Sequence, residues 1–214
     1  MAYVYQDIAR SDILRMVPPD GHVIGSIGCG YAATELELVK QGRHVHGVDI
    51  SPEAIERAAT RLTSAKVISS NDREPFAVNS LDGLILADVL EHIPRAWSAL
   101  QHFTRAVKPG GWVALSVPNM RNLHVLRTFW LGGEWPEQPI GIFDETHVQV
   151  MSKRRLVRWC GAAGLRVEKW FDRYGPAGPR RELLYKTLDA ASLRLFNSWF
   201  LFQLQCLCRR EKSG

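Results

Sequence analysis

The chain has 214 residues, of which 46% are hydrophobic and 23% charged, so it can build one domain with a substantial core but is short for two. Its net charge of +5, part of it in "SKRRLVR", "GPRR" and "CRREKSG", leaves an anionic partner open beside the plainer reading of a solvated basic surface. A transmembrane helix is excluded as an expectation, because the densest apolar run, "SWFLFQLQCLC", is broken by two glutamines and falls short of the ~18 residues a span needs; peripheral membrane contact stays open.

The opening "MAYVYQDIARSDILRMVPPD" lacks the basic-then-apolar order of a signal peptide, and places Tyr3 and Tyr5 on a short predicted helix. Apolar runs then alternate with helical patterns, the mark of βα units and a parallel sheet. "HVIGSI" reads as a buried strand, "YAATELELVKQG" as a helix ending at Gly42, and "HVHGVDI" as the second strand. "SPEAIERAATRL" reads as a helix with Ser51 as N-cap and Pro52 in its first turn. "AKVIS" and "LDGLILA" are the third and fourth strands, and "PRAWSALQHFTRAV" is a helix that stops before a turn at Lys108-Pro-Gly-Gly111. "WVALSV" is the fifth strand, closed by Pro118.

Residues 119–151 then break the rhythm with a Gly/Pro- and Trp-rich excursion, longer than a structural connection requires and therefore a candidate substrate lid. A helix "SKRRLVRWCGAAG", with Gly164 just past its end, a strand "LRVEKWFDRY", an amphipathic stretch and the strand-like "FLFQLQCLCRR" complete the chain. The four cysteines, 29, 160, 206 and 208, lack ligand-pair spacing and suit a reducing, cytoplasmic setting. Cys206-x-Cys208 is expected to put two small apolar side chains on one strand face.

Gly28-Cys29-Gly30 and Ala33 satisfy the G-x-G-x-x-G/A pattern of dinucleotide sites, with Asp49 about twenty residues on. Glycine lets the backbone turn sharply and approach a ligand closely, and the free N–H groups of the next helix suit a phosphate or a carboxylate equally. Asp49, at the end of the second strand, can accept both hydroxyls of a ribose. On these residues alone a dinucleotide and a plain nucleoside remain equally good ligands.

The segment "SNDREPFAVNSLDGLILADVLEHIPRAWSALQHFTRAVKPGGWVALSVPN" resembles the run shared by class I S-adenosylmethionine-dependent methyltransferases, and "GCG" and "GVDISPEAIERA" fit the same family. "DETHVQVMS…LVRWCGAAGLRV" is similar to its ubiquinone-type O-methyltransferase branch. The resemblance implies a doubly wound, mostly parallel seven-stranded sheet with an antiparallel last strand, in one domain over 1–214. Residues 119–151 would be the lid and 175–214 the last helix and strand. It also implies S-adenosylmethionine as cofactor, with S-adenosylhomocysteine as product. Gly28 and Gly30 would pass beneath the methionine part, Asp49 would hold the ribose, Ile50 would lie against adenine, and Asn71 and Asp72 would flank its edge. Ala87 and Asp88 would sit beside the methionine end. Three positions depart from the family: Ser26 stands where an acid is usual and could accept a hydrogen bond from the cofactor amine, Ala32 stands where a glycine is frequent, and Ser70 stands where the third strand often ends in an acid.

The acceptor implied is a small molecule, most simply an oxygen nucleophile on an aromatic or apolar metabolite, with Phe129, Trp130, Trp135 and Phe143 lining the lid. Those rings could equally form a small core of the lid itself. His147 in "DETHVQV" is the candidate general base, with Asp144 placed to orient its ring; the alternative is a histidine that pins the lid. Asp88, Glu91 and His92 have the spacing of one helical turn, which in some relatives holds a divalent ion and in others only closes the loop over the cofactor; no metal is assigned. An RNA methyltransferase and a cofactor-binding module without catalysis are the competing readings. The oligomeric state cannot be read from the sequence.

Overall fold

Seven strands form one sheet in the order β3-β2-β1-β4-β5-β7-β6 in the computed structural model, which describes residues 5–175 and 179–212. Strands β1 (Val23–Ile27), β2 (His44–Asp49), β3 (Ser64–Val67), β4 (Leu81–Ala87) and β5 (Val107–Pro118) run parallel. The last strand, β7 (Gln203–Arg210), inserts between β5 and β6 (Leu165–Arg173), antiparallel to both. The expected doubly wound sheet with an antiparallel last strand is therefore present.

Helices α1 (Ser11–Leu14), α2 (Ala33–Lys40) and α3 (Pro52–Ala59) belong to one half of the chain; α4 (Ala96–Phe103) follows β4, α5 (Leu123–Val125) lies in the excursion and α6 (Lys153–Ala162) follows it. The central strands bury both faces, so alternate residues enter different cores. On β4, Leu84 and Leu86 pack with Leu100, Phe103 and Leu156, whereas Ile85 packs on the opposite side with Ile24, Val45, Leu38 and Ala58. Each such side chain contributes about 1.5–3 kcal/mol by leaving water. Ser51 caps α3 by accepting from the Ala54 N–H at 3.2 Å. Cys206 and Cys208 lie on one face of β7, as expected, their sulfurs 3.7 Å apart and buried against Cys160 of α6.

Three features differ from the sequence reading. The Lys108–Gly111 turn is absorbed into β5, which starts at Val107 and shifts register opposite Leu81 and Gly83. The irregularity has a cause in Gly83, which lies beneath the Trp112 ring so closely that a Cβ would come within 2.1 Å of it. Tyr5 is not helical and precedes α1, and Tyr3 lies outside the described residues. The amphipathic stretch after β6 is split into α7 (Pro179–Ala191) and α8 (Asn197–Phe200), and Leu183 and Leu184 of α7 are exposed.

The strand order reverses between β1 and β4, and ligands of open α/β sheets bind in the crevice beyond the strand ends at such a point. No helix among the described residues is long and apolar enough to cross a membrane.

Candidate active site

Beyond β1 the chain turns through Gly28 (φ +70°) and Gly30 (φ +52°), both in the left-handed region that glycine enters without steric cost. A Cβ at Gly28 would lie 2.6 Å from Val89 Cγ2, and one at Gly30 2.8 Å from Tyr5 Cδ1. Ala32 also has positive φ, +57°, at a cost of about 1 kcal/mol or more; this is why glycine is common there in the family the sequence resembles.

Asp49, at the end of β2, is 3% exposed. Its carboxylate accepts from the Gly30 N–H at 2.8 Å, the Ser51 N–H at 3.0 Å and the Tyr5 hydroxyl at 2.6 Å. It thus ties the glycine loop to the next turn. Beside it opens a cavity of about 250 Å³ lined by Ile50, Ile68, Asn71, Asp72, Val89 and Phe103. The residues expected around a nucleoside base are together there, with apolar walls for a ring and polar groups at its rim.

A second cavity, of about 300 Å³, meets the first along Gly28, Asp88 and His92. Ala87 and Asp88 form its floor at the end of β4. Asp88 (φ +57°) is committed to the protein: Arg10 Nη1 donates to one oxygen at 2.8 Å, and the Ser116 hydroxyl and Gln203 Nε2 to the other at 3.0 and 2.7 Å. Arg10 and Arg173 also flank Asp12, and the Arg10 guanidinium keeps the Asp12 carboxyl down at about 2 against the opposing effect of burial. Ser26 is buried, and its hydroxyl donates to Glu35 Oε1 at 2.7 Å.

The far end of this cavity holds Glu91, His92, Asp144 and His147. Glu91, in the 3₁₀ turn Leu90–His92, is 1% exposed, and burial raises its pKa well above the carboxylate range. His147 Nε2 lies 4.0 Å from Glu91 Oε1, too long for a hydrogen bond. Burial lowers the His147 pKa, with the Asp144 charge opposing it, so the pair is no ion pair at neutral pH. The rings of His92 and His147 stand 4.8 Å apart. Asp144 meets His147 through the backbone, its carbonyl accepting from the His147 N–H at 3.0 Å; its Oδ1 accepts from the Thr146 N–H at 2.8 Å and the Thr146 hydroxyl at 2.5 Å, and that hydroxyl meets His92 Nδ1 at 2.9 Å. The expectation that the Asp144 carboxylate orients the His147 ring is corrected accordingly: among the described residues its side chain bonds Thr146, which leads to His92.

Residues 3–169 match the family model described as "Methyltransferase domain". The chain belongs to this methyltransferase family. Among its relatives is the ubiquinone biosynthesis O-methyltransferase of Leptothrix cholodnii, 26% identical over 154 residues, or 68% of this chain and 65% of the relative. The chain therefore spans just under two thirds of that relative's length. A SAM-dependent methyltransferase of Methanosarcina mazei superposes with a TM-score of 0.65 at 18% identity, covering 96% of this chain and all of that one. One from Archaeoglobus fulgidus gives 0.63 at 19%, covering 88% and 86%. These structural likenesses carry the fold.

The cofactor of the methyltransferase is S-adenosylmethionine, and the site fits it. The two left-handed glycines form a loop with no room for side chains, Asp49 stands at the nucleoside end, and Ile50, Asn71 and Asp72 border the base cavity. Sequence reasoning did not find Tyr5 on Asp49, Arg10 on Asp88 or Glu35 under Ser26. Each pairs residues from separate elements, and only Glu35, an acid in an apolar helix start, carries a local signal.

The geometry bears on two alternatives that the sequence leaves open. Asp88, Glu91 and His92 do not converge, since Asp88 faces Arg10; the side chains that do are Glu91, His92 and His147, with ligand atoms within 4.8 Å of one another. This trio has the residue types for a divalent ion. The lid aromatics, in turn, do not line the cavities. Phe129 meets Trp130 and Trp135, and Trp135 meets Phe143, edge to face at 4.9–5.6 Å, with Phe143 buried on Val125 and Ile142. Phe143 alone of the four is buried, while Phe129, Trp130 and Trp135 stack on the surface of the excursion, and Ile140 and Gly141 reach the cavity instead.

Proposed function

We propose that the enzyme transfers a methyl group to a hydroxyl of a small apolar or aromatic metabolite, with His147 as general base. The observation that carries this reading is the position of His147, partly buried at the end of the cavity that begins at the glycine loop, where burial lowers its pKa. When bound, S-adenosylmethionine supplies an activated methyl group that is displaced in line. The protein's task is to align the acceptor and exclude water. Pro118, Phe202, Ile140 and Ile13 give the cavity apolar walls, and the turn at 144–149 closes it. That turn is pinned by Val148 N–H on the Glu91 carbonyl and by Gln149 Nε2 on the carbonyls of Ile93 and Pro94. A ring nitrogen of His147 takes the hydroxyl proton as the oxygen attacks, worth roughly 10²–10⁴-fold in rate.

A polynucleotide acceptor has less support. Arg10 is the one Lys or Arg among the described residues that line the second cavity, and it is already paired with Asp12 and Asp88. The printed name of the Leptothrix relative supports oxygen as the methylated atom. Incubating the enzyme and cofactor with metabolite extracts, and separately with total RNA, distinguishes these readings. A mass gain of one methyl on a small hydroxyl compound supports the proposal. Methylated RNA with no small-molecule product refutes it.

A further inference from the structure

We infer that Glu35 is the carboxylate that receives the ammonium of the cofactor's methionine end, in place of the acid that position 26 lacks. The inference rests on S-adenosylmethionine being the cofactor, and it concerns a residue outside the sequence motif. Glu35 is the third residue of α2, lines the second cavity beside Gly28 and Gly30, and is 5% exposed. Its Oε1 accepts from the Ser26 hydroxyl at 2.7 Å. Among the described residues no Lys, Arg or His forms an ion pair or hydrogen bond with it.

A buried carboxylate without a counter-ion is costly, and proteins keep one only where something offsets that cost. Burial raises the Glu35 pKa, and Asp49 adds to the rise, while the Ser26 hydroxyl and a backbone N–H oppose it. The start of α2 favours a negative charge, but only modestly. A ligand cation arriving beside Glu35 would complete the pairing.

Elimination leads to the same residue. The cavity has three other carboxylates, with Asp49 in the adjoining one, and each of the four has other work. Asp88 is neutralised by Arg10. Asp49 stands at the nucleoside end. Glu91 and Asp144 lie with the histidines at the acceptor end. Glu35 is left beside the glycine loop at the methionine end, its carboxylate without a cationic partner among the described residues. Ser26, buried on β1, then acts as a positioning residue: its hydroxyl fixes one Glu35 oxygen and leaves the other for the ligand. The acid has moved from the strand to the facing helix turn, nine residues on in sequence and in contact in space.

The test compares two ligands that share the nucleoside and sulfur. S-adenosylhomocysteine carries the amino-acid end, and 5′-methylthioadenosine lacks it. Calorimetry on Glu35→Gln, which keeps shape and a hydrogen-bonding group, is expected to show S-adenosylhomocysteine weakened about 10- to 100-fold, with methylthioadenosine within about twofold of wild type. Equal losses for both ligands, or no loss for either, would overturn the inference. Wild-type protein that binds neither ligand would instead overturn the cofactor assignment.

A second measurement follows pH. The ratio of the two affinities cancels Asp49, which serves both ligands; besides Glu35 and the buried Cys29 thiol, the cavity presents Arg10, Asp88, Glu91, His92, Asp144 and His147, so the same ratio in Glu35→Gln is the reference that isolates Glu35. Burial raises the Cys29 pKa above 9, so that thiol stays neutral across the acidic range. The preference for S-adenosylhomocysteine is expected to fall in wild type, and not in Glu35→Gln, as acidification protonates Glu35 above the usual glutamate range. A ratio independent of pH would contradict the assignment.

Discussion

Replacing Asp49 by asparagine tests the nucleoside half of the site with a magnitude that follows from its bonds. A carboxylate offers about four acceptor positions, and three are filled by Gly30 N–H, Ser51 N–H and the Tyr5 hydroxyl. A ribose diol needs two. The backbone donors are fixed by the loop, so the Tyr5 hydroxyl is the one that yields its place. Asparagine keeps a single acceptor oxygen without charge and turns an NH₂ group toward either the ribose or Gly30 N–H. One ligand bond is lost and the other falls from a charge-assisted to a neutral one, together about 2–4 kcal/mol, or roughly 30- to 1,000-fold in Kd. Calorimetry with S-adenosylhomocysteine reads this directly. The Gly30 contact weakens as well, so unfolding should shift by about 1 kcal/mol, ~2–4 °C in Tm for a chain of this size. Affinity within twofold of wild type, together with that modest loss of stability, would refute Asp49 as the ribose acceptor.

Tyr5→Phe removes a competitor for the same carboxylate and should tighten S-adenosylhomocysteine binding a few-fold; weaker binding would mean that the hydroxyl helps to hold the ligand. His147→Ala should lower kcat about 10²–10⁴-fold with little change in cofactor affinity, and unchanged turnover would remove His147 as base. Because burial lowers the His147 pKa, its neutral, proton-accepting form predominates at pH 7. The rate should be flat near neutrality and fall as pH drops through a value below 6.5; a fall beginning above pH 7 would contradict this. Turnover should survive dialysis against EDTA, whereas a loss restored by a divalent ion would transfer the role of His147 to an ion held by Glu91, His92 and His147.

The central strands were legible because both their faces are buried, so β1, β4 and the second half of β5 appear as apolar runs between turn residues, whereas the edge strands β3 and β6 are exposed or half-buried over most of their length. The glycine loop and Asp49 were legible because a close backbone approach and a strand-end acid leave local marks. What sequence spacing could not show are pairings across elements. Asp88 reads as a ligand contact by position, yet Arg10, 78 residues away, and Gln203, 115 away, hold its carboxylate. Ser26 reads as a missing charge until α2 folds back and sets Glu35 against it. The aromatic residues of 129–143 suggested a ligand wall by composition alone. They stack instead on one another, through Trp135 on the buried Phe143, and stay largely at the surface, a placement that composition does not mark.

The central claim, methyl transfer to oxygen in the cavity between the glycine loop and His147, is tested most directly by following the methyl group. The enzyme is supplied with S-adenosylmethionine carrying an isotopically labelled methyl, and the labelled product is examined by NMR, for wild type and for His147→Ala. The expected result is label on an ether oxygen of a small apolar product, with its formation slowed by at least about a hundredfold in the variant. Label on nitrogen or carbon, or equal rates for the two proteins, would contradict it.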